Sequence, residues 1–123
     1  MSERPRVYCS LPTDQGVFIV NRMDYCETPN GSYGVSHQLF CKGSFDPAEI
    51  AIAIKMLHLK RTYKGDGVVA FDCGANIGVH TIAWANEIYS FGRVIAAEAQ
   101  EKIFYSLAGA INLWSTSTTD VRR

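Results

Sequence analysis

The sequence predicts an α/β fold with parallel core strands, and three observations carry that reading. Two short, nearly all-apolar runs, Val68–Cys73 and Arg93–Glu98, each precede a segment whose apolar residues recur at helical spacing. A glycine-bearing turn, Gly74-Ala75-Asn76-Ile77-Gly78, joins the first run to its helix. The order strand, turn, helix, strand, helix over residues 68–113 makes a βαβα unit, expected to be parallel with a right-handed crossover.

Size and composition bound what surrounds this unit. A chain of 123 residues holds one domain at most. Apolar content of 47% with 20% charged residues suits a folded core and argues against disorder. Twelve basic and twelve acidic residues cancel, so no net charge draws the chain to nucleic acid or to an anionic membrane. No apolar run approaches the roughly 18 residues of a membrane span. No basic start leads into an apolar signal segment, so a cytoplasmic location is expected. Cys9, Cys26, Cys41 and Cys73 contain no CxxC pair and, with His37, match no short-spaced zinc pattern; no metal is expected.

Taken in order, residues 1–15 are polar, carry Pro5 and Pro12, and read as an N-terminal arm. Gly16–Met23 reads as a strand. Within Tyr25–Gly34, Asn30-Gly31 marks a turn, because both residues tolerate positive φ. Val35–Lys42 reads as a short strand or an extended loop. Asp46 then opens a helix. It is a good N-cap, Pro47 at the first helical position forfeits no hydrogen bond, and Glu49 completes a capping-box pattern. Along Ala48–Leu59, Ile50, Ile54 and Leu57 form a stripe that Ile52, Met56 and Leu59 widen, which predicts burial against a sheet or between elements. Lys64–Gly67 is a turn.

The continuous apolarity of Val68–Cys73 predicts a central parallel strand buried on both faces, with Cys73 packed as a small hydrophobe. A helix is predicted from Gly78 to Tyr89 and another from Glu101 to Leu113, the latter with Ile103, Phe104, Leu107 and Ile111 on one face. The tail 114–123 is polar beyond Trp114 and Val121 and reads as a ragged end instead of a further strand. Two parallel strands alone leave faces and edges open. Residues 16–113 are therefore expected to form a truncated domain, or one that completes its sheet with a partner.

The chemistry gathers in the turn and at Glu98. Gly74 lets the chain turn sharply and lets a ligand approach the backbone. The amides at the start of the following helix favour negative charge. Glu98 ends the second strand, where an acid can accept hydrogen bonds from both hydroxyls of an adenosine ribose. Dinucleotide turns carry GxGxxG, and the middle glycine is absent here. The turn therefore suits a smaller cofactor, with a ribose at Glu98 and an amino-acid end near Gly74.

VVAFDCGANIGVHTIAWA followed by GRVIAAEAQ resembles the first two signature regions of class I S-adenosylmethionine-dependent methyltransferases, and more narrowly the FkbM type, whose DxGANxGxxT wording it carries. GSFDPAEI is also similar to the lead-in of some members, so the resemblance covers roughly residues 16–113. It implies a truncated Rossmann-like fold, with S-adenosylmethionine or S-adenosylhomocysteine as cofactor. By the same resemblance Asp72, Gly74, Ala75, Asn76 and Gly78 would wrap the methionine portion, with Asp72 near its ammonium. Glu98 would hold the ribose, with Ala99 and Gln100 beside the adenine. His80 and Thr81 would approach the methionine carboxylate, and Glu49 would reach in from the preceding helix. Ala99-Gln100 stands where many relatives have proline after the acid, a departure that touches the adenine edge. The implied activity is methyl transfer to a hydroxyl oxygen of a small molecule or sugar. The alternative is a non-catalytic nucleotide-binding or structural module that oligomerises through its incomplete sheet.

Overall fold

The computed structural model describes residues 7–114 and 119–123. Among these residues, eleven elements run in the order β1 (Tyr8–Thr13), β2 (Gly16–Asn21), β3 (Cys26–Thr28), β4 (Gly31–Tyr33), α1 (Val35–Lys42), α2 (Pro47–Lys64), β5 (Val68–Cys73), α3 (Val79–Ile88), β6 (Gly92–Ala97), α4 (Glu101–Trp114) and β7 (Thr119–Arg122). The central sheet is parallel, in the order β5-β6-β7. Two antiparallel hairpins, β1-β2 and β3-β4, precede it. The α/β class and the parallel βαβα unit expected from the sequence are both present. No helix among the described residues is long and apolar enough to cross a membrane.

One face of the sheet carries the core. Ala96 of β6 is fully buried beneath α3 and α4, which supply Val79, Ile82, Leu107 and Ala110. The β1-β2 hairpin closes this cluster from outside through Phe18 and Val20, and Leu39 of α1 joins it. A smaller cluster of Val68, Ala70, Ala85, Ile88, Phe91 and Val94 lies toward the other end of the β5-β6 pair, with Leu57 of α2 against it. Burial of apolar surface at roughly 25 cal/mol per Å² is what holds these layers together.

Several expectations are corrected by the structure. The stretch read as an N-terminal arm contains β1, which pairs with β2 from Tyr8↔Asn21 to Thr13↔Gly16. Its Pro12 is compatible with this because β1 is an edge strand, where a missing N–H costs no ladder bond. Val35–Lys42 is a helix, not a strand or loop. Its Ser36 N–H donates to the Asp24 carboxylate at 3.1 Å, a cap supplied from outside the segment. The tail read as ragged contains β7, whose backbone pairs with β6 from Val94↔Thr119 to Ala97↔Arg122.

Two further corrections concern burial. The β5 run is covered on one face only: Val68, Ala70 and Asp72 are buried, while Val69, Phe71 and Cys73 are exposed. Cys73 is therefore not packed as a core thiol. On α2 only Ile50 is buried, and Ile52, Met56 and Leu59 lie open. The helix also begins differently from its capping-box reading. Asp46 sits at φ +45 and its side chain makes no cap hydrogen bond; only its carbonyl accepts, from Ile50 N–H at 3.1 Å.

Gly78 is where packing and backbone geometry coincide. It caps α3 at φ +98, and a Cβ there would lie 2.9 Å from Leu107 Cδ1. Gly43 caps α1 in the same left-handed region at φ +70, and a Cβ there would meet only the carboxylate end of Asp14, at 3.3 Å. Gly78→Ala is expected to destabilise the fold by about 1–3 kcal/mol more than Gly43→Ala, whose main cost is the left-handed backbone, about 1–2 kcal/mol. Urea unfolding of the two variants measures the difference, and equal midpoints would contradict the packing constraint.

Candidate functional site

The site is built where β5 and β6 end side by side. Their parallel register runs from Val68↔Gly92 to Cys73↔Ala97. The pairing continues into the turn, since Gly74 and Ala75 N–H both donate to the Ala97 carbonyl, at 2.9 and 3.0 Å. The chain leaves β5 with Gly74 at φ +77, passes Asn76 at φ +52 and enters α3 from Gly78. Asparagine tolerates the left-handed region because its short side chain bonds locally, and here Asn76 Oδ1 accepts from Ile77 N–H at 2.9 Å. A Cβ on Gly74 would meet nothing within 4 Å. That side of the turn is open backbone that a ligand can approach.

Glu98 follows β6 and is 6% exposed. Its Oε2 accepts from Asn76 N–H at 3.0 Å and its Oε1 from Gln100 N–H at 2.8 Å. A buried carboxylate is costly unless paired or hydrogen-bonded, and two charge-assisted bonds to amides meet that requirement. Each carboxylate oxygen has two lone pairs, so one on each remains for a ligand hydroxyl. The Glu98 N–H donates to the Arg122 carbonyl of β7 at 3.1 Å.

Asp72 lies beneath the turn, where it and Thr81 are both buried. The Thr81 hydroxyl donates to Asp72 Oδ2, which fixes the carboxylate against the first turn of α3. Thr81 therefore reaches the turn by way of Asp72. Ala75 is buried, and Ala99 and Gln100 are exposed at the rim.

His80 and Glu49 stand apart from the Glu98 contact. The His80 ring lies between Phe45 and Trp84, with centroid distances of 6.1 and 5.8 Å. Its nitrogens face the start of α2, where Asp46, Glu49 and His80 each bring a ligand-type atom within 4.8 Å of the others.

A groove of about 470 Å³ opens beside the turn. Asn76 and Gln100 line it on one side, with Tyr8, Asp24 and Ser36 opposite. This volume suits a small-molecule cleft. Tyr8, Asp24 and Ser36 were missed by sequence reasoning, because the wall they form needs β1 and α1. Glu101 is also at the rim. The Tyr105 hydroxyl donates to its Oε1 at 2.8 Å and, with Arg123 adding its charge, holds the Glu101 carboxyl below its usual range; the same bond pushes the Tyr105 phenol up.

No family model and no curated protein matches the chain. Solved structures do. Wild-type Trm5b from Pyrococcus abyssi superposes with a TM-score of 0.57 at 15% identity, over 98% of this chain and 29% of that one. Trm5 from Methanocaldococcus jannaschii, in complex with adenosine, gives 0.55 at 16% identity over 98% and 30%. A SAM-dependent O-methyltransferase from Thermotoga maritima gives 0.53 at 16% identity over 93% and 47%. The chain thus spans less than half the length of each of these three structures, and it shares with them the Rossmann-like α/β fold.

Proposed function

We propose that the chain is the cofactor-binding portion of an S-adenosylmethionine-dependent methyltransferase of the FkbM type, acting on a hydroxyl oxygen. The observation that carries this reading is the Glu98 carboxylate bonded to the glycine turn. It puts an acid suited to ribose hydroxyls beside an open backbone suited to an amino-acid end. The fold shared with the Thermotoga maritima O-methyltransferase supports it.

When bound, S-adenosylmethionine supplies an electrophilic methyl group. The residues of this chain bind and orient. Glu98 offers its remaining lone pairs to the ribose, with Ala99 and Gln100 along the adenine edge. Gly74, Ala75, Asn76 and Gly78 wrap the methionine portion, and Asp72, held by Thr81, attracts its ammonium. Methyl transfer to a hydroxyl oxygen depends on in-line orientation and releases the hydroxyl proton, which passes to a base or to water. No described residue is assigned as that base.

Calorimetry on the 123-residue chain tests the reading. Saturable binding of S-adenosylmethionine and S-adenosylhomocysteine is expected, with none for NAD. Glu98→Gln presents an amide donor toward backbone donors. It is expected to weaken binding at least about tenfold and to cost about 1–3 kcal/mol of stability, with circular dichroism confirming a folded variant. Binding of NAD alone, or of neither methyl-donor ligand by the folded wild type, overturns the reading. No turnover is expected from the chain by itself in a radiolabelled methyl-transfer assay.

A second reading, a nucleotide-binding or structural module that self-associates, rests on a different observation. β5 is an edge of the three-stranded sheet, and its Phe71 is 65% exposed. Beside it runs an apolar groove lined by Ala53, Met56, Leu57, Ala70 and Trp84. The Trp84 indole N–H is buried with no acceptor among the described residues. A strand from a second copy would cover the edge and supply carbonyl acceptors. On this reading light scattering at about 50 µM gives a dimer, which Phe71→Lys returns to monomer. A wild-type monomer removes it.

A further inference from the structure

We propose that Asp46, Glu49 and His80 form a binding site for a first-row divalent cation at the junction of α2 and α3. The three residues come from two elements and place one donor atom each within 4.8 Å of one another. Zinc-type bonds to nitrogen and oxygen are about 2.0–2.2 Å, so neighbouring donors on one ion lie about 3.0–3.5 Å apart. Rotation about the Asp46 and Glu49 side-chain bonds is what would draw the three donors in to that spacing.

The ordinary explanation of two carboxylates at a helix start is capping, and it does not account for these. Asp46 makes no side-chain cap bond, and Glu49 makes no return bond to the Asp46 amide. Neither carboxylate has another hydrogen bond or ion pair among the described residues, and the imidazole has only its ring contacts. Each carboxylate instead brings an oxygen to within 4.8 Å of the other and of a His80 nitrogen.

The surroundings hold the donors in place. Phe45 and Trp84 flank the His80 ring and set its direction. Phe45 is itself tied down at both backbone groups: its N–H donates to Gln15 Oε1 at 2.7 Å, and its carbonyl accepts from Gln15 Nε2 at 2.9 Å. Asp46 follows directly.

The donor chemistry selects the ion. One imidazole and two carboxylates suit Mn²⁺, Fe²⁺ or Zn²⁺ better than the all-oxygen cages of Ca²⁺ or Mg²⁺. Two negative charges balance a divalent ion, and three protein donors leave coordination positions for water or an oxygen ligand. This inference does not rest on the cofactor reading, since none of its donors bonds to Glu98, Asp72 or the glycine turn.

Titration of the full chain with MnCl₂, followed by loss of the free-ion paramagnetic resonance signal, tests it. Mn²⁺ is the probe because Cys41, whose sulfur lies 3.7 Å from His37 Nε2, would compete for zinc. One saturable Mn²⁺ per chain is expected. Asp46→Asn keeps a residue that accepts positive φ. It and Glu49→Gln, each checked for folding by circular dichroism, are expected to weaken binding at least about tenfold, the loss that even indirect partners of a ligand produce. His37→Gln is expected to leave the affinity unchanged. Absence of saturable binding below about 1 mM in the wild type, or affinities unmoved in both carboxylate variants, overturns the site.

Discussion

The carboxylate of Glu98 is the contact on which the organisation of this molecule depends. Two parallel strands that end together leave several backbone amides at their C-terminal rim without a ladder partner. Glu98 takes two of them, Asn76 N–H in the turn after β5 and Gln100 N–H before α4. Its own amide is bonded to Arg122 of β7. One residue thus ties together the ends of all three parallel strands. Burial makes the arrangement stringent: a carboxylate this enclosed is tolerated only while its bonds are made, so the turn and the strand end are held in register by the penalty for separating them.

Legibility from sequence followed the range of the interactions. The βαβα unit was readable because its signals are local: apolar runs, helical spacing and a glycine turn lie within a few residues of the elements they define. β1 was not, because a proline argues against a strand until one knows that the strand lies at an edge. α1 was not, because its Ser36 N–H is served by Asp24, on the far side of a hairpin. β7 has one apolar side chain facing the core, Val121, and owes its place to backbone pairing with β6. The sequence reads Glu49 as a capping residue, a bond it does not make in the structure, and His80 as part of a helical turn. Their meeting with Asp46 depends on how α2 crosses α3, which no local pattern encodes.

Burial tells a related story. A strand written VVAFDC and a helix with Ile52, Met56 and Leu59 beside its buried stripe carry more apolar surface than the described residues cover. Single exposed apolar residues are ordinary, but here they adjoin: Phe71 of β5 and Met56 of α2 line the same groove as the unpartnered indole N–H of Trp84. The excess is therefore organised along one edge. It pairs apolar surface with an unused donor and an unpaired strand, which are complementary to backbone carbonyls and to a second apolar layer.

The first turn of α3 shows how little structure is needed to serve several ends. Successive residues on a helix point about 100° apart. Val79 enters the core, His80 turns to Asp46 and Glu49, and Thr81 bonds Asp72 beneath the glycine turn. All three directions are set by where the helix begins, and that is set by Gly78 lying against Leu107 of α4. The turn beside Glu98 and the carboxylate–imidazole cluster are consequently separate in their bonding but share one mechanical reference. A shift of the α3 start would displace the Asp72 carboxylate and the His80 ring together, whereas a change at Asp46 or Glu49 acts on the cluster and leaves the hydrogen bonds of the turn intact.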